Sequence, residues 1–157
     1  MTPKIGISDK NLKSSVTLLS TVLADEMTLY IKTRKSHWNV SGDSFMELHK
    51  LLEAQYKNLE ETIDEVAERI GKLGENAIGT MQEFLAKTTL KERPGKYSSS
   101  KDMLKELLHD HESIIVQLRK DIDDSSEKNK DAGTADFLTG IMEEHETMSW
   151  ILRRYLN

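Results

Sequence analysis

Apolar residues at Leu12, Val16, Leu19, Leu23, Met27 and Tyr30 recur at steps of three and four, the repeat of one helical face. The repeat predicts a helix from about Asp9 to Trp38, capped in front by Ser8 and ended by the turn-forming run Asn39 to Ser44. A second repeat, Leu48, Leu52, Gln55, Leu59, Thr62, Val66, Ile70 and Leu73, predicts a helix from about Ser44 to Leu73 that stops at Gly74. Residues 75 to 100 hold Gly79, Pro94, Gly95 and a serine triplet, with one short amphipathic piece, Met81 to Lys87. That stretch is expected to be a long crossover carrying a small helix. Leu104, Leu107, Ile114, Leu118 and Ile122 mark a third long helix. Phe137, Leu138, Ile141, Met148, Leu152 and Tyr155 mark a fourth, starting near Thr134 after a turn over Lys128 to Gly133.

Two helix hairpins linked by one long crossover make an all-α chain of the ferritin-like four-helix-bundle type, with a short extra helix in the crossover. The 157 residues suit one domain, 1–157, in which 1–8 forms a short N-terminal tail. A formal net charge of −5 repels phosphate, so any DNA contact has to come from a local basic segment. Lys4, Lys10 and Lys13 at the front are the candidates, with Arg153 and Arg154 near the back. The absence of cysteine removes disulfides, thiolate metal sites and thiol nucleophiles. With no secretory-type apolar start and no run near the roughly 20 apolar residues of a membrane span, the expected location is the cytoplasm.

The second predicted helix carries another stripe beside its apolar seam: His49, Glu53, Tyr56, Glu60, Asp64 and Glu68. Carboxylates with one or two imidazoles suit iron and related divalent metals. Glu53 and Asp64 stand eleven residues apart, about 16 Å along a helix, and cannot hold the same ion. The stripe therefore contains two half-sites, His49 with Glu53 and Asp64 with Glu68. Antiparallel pairing of this helix with its copy about a two-fold axis brings unlike halves together twice. His37, just across the turn, is placed to join the first half. The inferred metal site is His37, His49 and Glu53 from one chain with Asp64 and Glu68 from its neighbour. A di-iron site inside one bundle needs two Glu-x-x-His pairs, and only Glu106 to His109 has that spacing.

Lys35 to Gly42 (KSHWNVSG), Phe45 to His49 (FMELH) and Ile63 to Ile70 (IDEVAERI), followed by Lys72 to Gly74, are similar to the Dps family, the DNA-binding proteins from starved cells. The resemblance covers nearly the whole chain. It implies a hollow homododecamer, built from two-fold dimers, that oxidises iron(II) with hydrogen peroxide in preference to dioxygen. Such a shell stores the ferric mineral and so protects against oxidative damage, with iron as the metal bound. The ligands it implies are His37, His49, Asp64 and Glu68; Glu53 falls where many members have Asp, one methylene shorter. Trp38 matches the aromatic beside the family's site, held to intercept radicals, and Asp131 and Asp136 resemble the acidic lining of pores through which iron enters.

Simpler readings accompany these. Trp38 is equally explained as a buried anchor, and Asp131 and Asp136 as helix-start residues favoured by the macrodipole. His111 and His145 interrupt apolar seams and are expected in the core or at an interface with hydrogen-bond partners, whereas His109, Glu61, Glu65 and Lys72 are expected in solvent. The rival functions are a nucleoid-associated protective protein whose main role is DNA binding, and a metal-free structural bundle.

Overall fold

The computed structural model describes residues 3–157; Met1 and Thr2, the first residues of the expected tail, lie outside the described residues. Four long helices and one short one follow in the order α1 (Asp9–Asn39), α2 (Phe45–Lys72), α3 (Met81–Lys87), α4 (Ser100–Asp123) and α5 (Ala132–Leu156). Helices α1 and α2 pack as one hairpin, α4 and α5 as the other, and α1 also packs against α3 and α4. The core is mostly leucine, with Leu19, Leu29, Leu52, Leu59, Leu107, Leu138 and Leu152 fully enclosed. All but Leu29 are positions of the four sequence repeats.

Local chemistry sets the boundaries. The Ser8 hydroxyl accepts from the Asn11 amide at the start of α1, and Ser99 does the same for Asp102 at the start of α4. Thr80 and Glu83 form a reciprocal capping box on α3, which stabilises a helix too short to persist alone. Residues 3–8 are not a free tail: Ile7 packs on the core, and Pro3 lies so close to Gly74 that a Cβ there would come within 2.4 Å of its ring. Gly74 also has φ +92°, so glycine is needed twice over.

The turn between the last two long helices differs from the expectation. After α4 the chain widens into a π-helical segment, Asp124–Lys128, and α5 begins at Ala132 rather than near Thr134. Asp131 is the cap: its carboxylate accepts from the Thr134 amide at 3.0 Å and hydroxyl at 2.6 Å. A capping aspartate three residues before threonine moved the start forward.

Candidate metal centre

His37 closes α1 and His49 lies one turn into α2, so the Val40–Ser44 reversal brings both rings to the same end of the bundle. Each ring is anchored by the other's backbone. His37 Nδ1 lies 2.8 Å from the His49 carbonyl and His49 Nδ1 lies 3.0 Å from the His37 carbonyl. A carbonyl only accepts, so both Nδ1 atoms carry a proton, and in the neutral imidazole Nε2 is the nitrogen left with a lone pair. The rings stack with centroids 3.8 Å apart, between Phe45 on one side and Tyr56 on the other. Metal-ligating histidines commonly donate their other ring N–H to a backbone carbonyl in this way.

Glu53 is one turn beyond His49 and bonds Lys57 at 2.6 Å. Lys57 holds the Glu53 carboxyl below its ordinary range. Asp64 and Glu68 are at the far end of the same helix, both exposed, with Glu68 3.4 Å from Lys72. Asp64 opens into a groove of about 780 Å³ between α1 and α2, beside Tyr30, Lys57 and Glu60. The structure thus brings His37 and His49 together, leaves Glu53 one turn along α2 on Lys57, and keeps Asp64 and Glu68 farther along the same helix. Among the described residues, no three His, Asp or Glu side chains of one chain form a metal-holding group. The Glu106 to His109 pair makes none either, because Glu106 is bound to Lys32 and Arg93 while His109 faces solvent.

Trp38 is 63% exposed, so it is not an anchor buried within the subunit. Its indole lies 5.4 Å from the Arg34 guanidinium, which donates to the Tyr30 hydroxyl at 2.6 Å and covers the Tyr56 ring. Sequence reasoning missed Arg34; its signal was the i, i+4 spacing from Tyr30 and to Trp38. Asp131 is buried, with its oxygens on Thr134 and on Arg69 at 3.1 Å, whereas Asp136 is exposed. Of the two acidic residues expected at a pore, only Asp136 presents a free carboxylate. Lys4, Lys10 and Lys13 are exposed, and Arg153 pairs with Glu112 across α4 and α5. His109, Glu61, Glu65 and Lys72 face solvent as expected.

A bundle of two hairpins with a long crossover, carrying an imidazole pair across the α1–α2 turn and carboxylates along α2, has the arrangement of a ferritin-like protein. A family model described as a ferritin-like domain matches residues 16–157. An uncharacterised low temperature-induced protein of Nostoc is 45% identical over 97% of this chain and 85% of its own length. DNA protection during starvation protein 2 of Bacillus anthracis is 32% identical over 92% of this chain and 98% of its own. Among solved structures, DpsC from Streptomyces coelicolor superposes with a TM-score of 0.95 at 29% identity, covering all of this chain and 91% of the other. Dps from Vibrio cholerae, described as a member of the ferritin-like diiron-carboxylate superfamily, gives 0.92 at 27% identity over 99% and 97%. The chain belongs to the Dps family. No helix among the described residues is long and apolar enough to cross a membrane.

Proposed function

We propose that this chain binds iron(II) between two copies of itself, oxidises it, and stores the ferric product inside a homododecameric shell. The observation that carries this is the reciprocal anchoring of His37 and His49 through Nδ1, which leaves Nε2 of each ring as the nitrogen to meet a metal, one helical turn from Glu53. Asp64 and Glu68 of a neighbour complete the ligand set with hard oxygens, which favour the ferric product. Two iron(II) ions give up one electron each, hydrogen peroxide is split, and two protons complete two waters, so hydroxyl radical does not escape; dioxygen is the slower oxidant. Lys57 leaves Glu53 as the cation arrives. Trp38, exposed and next to His37 in the chain, would quench stray one-electron oxidants. Iron passage through the shell falls to Asp136, while Asp131 holds the end of α5.

The test is anaerobic loading of purified shells with iron(II), then peroxide, following ferric absorbance with a hydroxyl-radical trap present. Wild type should form soluble ferric iron fast with little radical, and a variant with His37→Ala plus His49→Ala should assemble but oxidise slowly. Wild-type rates in that variant would overturn the assignment. The exposed Lys4, Lys10 and Lys13 support a second reading, DNA protection in the nucleoid. Phosphate contacts weaken steeply with salt, so a gel shift at low salt that disappears as salt rises supports it, and no shift at low salt removes it.

A further inference from the structure

Away from the α1–α2 groove, the centre of the bundle encloses three ionisable groups that the proposed function leaves unused: Glu26 on α1, His111 on α4 and His145 on α5, each no more than 1% exposed. They form a chain. His145 Nε2 lies 2.8 Å from Glu26 Oε1, and His145 Nδ1 lies 2.8 Å from His111 Nδ1. At the two ends, Glu26 Oε2 and His111 Nε2 have no hydrogen-bonding partner among the described residues.

Two nitrogens in contact share one proton: one ring donates it and the other accepts. Glu26 can compensate one positive charge, on the ring it touches. A second charge, on His111, would set two cationic rings nitrogen to nitrogen at 2.8 Å, break their hydrogen bond and lie in an apolar core with no carboxylate of its own. Among the described residues no other buried ionisable group is available to help; His37, at the far end of α1, is bonded to the His49 carbonyl. On α1, Asp25 is bonded to Thr88 and Thr89, and Lys32 to Glu106 and Asp110. On α2 every buried side chain is uncharged. On α4, Asp110 faces Lys32 and Asp121 faces Gln117. On α5, Asp131 at the start faces Arg69. A metal does not fit the pair as it stands: two imidazole nitrogens on one tetrahedral ion, each bonded at about 2.0–2.1 Å, stand about 3.3 Å apart.

We propose that Glu26, His145 and His111 form a buried proton-binding site that holds a single positive charge at most and couples acid to the opening of the α4–α5 hairpin. Burial, and then the neighbouring His145, push the His111 imidazolium well below its ordinary range. Its folded value is therefore lower than its unfolded value near 6.5. The stability its neutral state contributes is intact above that pH and is lost as pH falls below it, because only the opened chain takes up the proton. For each such proton the opening equilibrium rises about tenfold per pH unit.

Carbon-2 hydrogen exchange of each histidine, read by mass spectrometry on intact assembled protein from pH 4.5 to 8, tests this without substitution. Exposed His109 is the internal standard. His111 should exchange slowly, with a midpoint clearly below that of His109; coincident midpoints overturn the proposal. Backbone amide exchange on α4 and α5, corrected for intrinsic rates, should show opening that increases about tenfold per unit below pH 6, and the increase should flatten in His111→Gln. An equal slope in the two proteins overturns the coupling. A metal ion that copurifies with wild type and is lost in His111→Gln, with the α2 half-sites intact, overturns the proton reading in favour of a metal site.

Discussion

Two defective subunits should repair each other if the metal site is shared between chains. Let one variant lack the imidazole half, His37→Ala with His49→Ala, and another lack the acidic half, Asp64→Ala with Glu68→Ala. Within one chain the halves are separated along α2 by at least the eleven residues between Glu53 and Asp64, about 16 Å, so no rotamer change brings them to one ion. Each variant alone then has no complete site. In a mixed two-fold dimer, one site combines both defects, and the other combines the intact imidazoles of one subunit with the intact carboxylates of its partner. Random pairing of equal amounts makes half of all dimers mixed, and half of their sites are whole, so about a quarter of the wild-type oxidation rate should return. The assay is peroxide-driven ferric formation by shells refolded or coexpressed from tagged subunits, compared with each variant alone. Mixed shells of confirmed composition that remain as slow as the separate variants would refute the shared site. Full activity in either variant alone would refute the ligand set.

Two stability predictions concern the opposite end of the bundle. Asp131→Ala removes the cap of α5 and the buried partner of Arg69 together, which should cost about 2–4 kcal/mol in urea unfolding; a loss below about 0.5 kcal/mol would show that the turn holds by other means. Burial raises the Asp121 carboxyl from 3.8 to about 6 against only one hydrogen bond, from Gln117. A raised folded pKa means that ionisation opposes folding, so the cost grows from about pH 4 to pH 6 and persists above it. Asp121→Asn should therefore stabilise the protein at neutral pH by up to about 3 kcal/mol, with the gain vanishing near pH 4; a pH-independent effect would contradict the cause assigned.

The three- and four-residue spacing of Leu12 to Tyr30 and of Leu48 to Leu73 identified the α1–α2 hairpin in the sequence, because a helix repeats its buried face at a period that can be counted. The same counting placed His49, Glu53, Asp64 and Glu68 on one stripe, and separated them into two halves by length alone. The crossover helix was legible for a related reason, since Thr80 and Glu83 carry its cap locally. Properties that depend on contacts between distant segments were not countable. Nothing in the order of residues shows that His37 and His49 hold each other's carbonyls, and so which nitrogen each offers. Trp38 reads as a core aromatic by type but stands on the surface. Asp131 reads as a pore acid or a helix-start cap; it is the cap, and that Arg69, 62 residues away, also occupies it could not be counted. The linkage of Glu26, His145 and His111 joins three helices across as many as 119 residues, and only close packing decides which polar groups are sealed from water together. Sequence determines the faces of helices; tertiary structure decides which faces meet, and with that the tautomer, charge and exposure of each group.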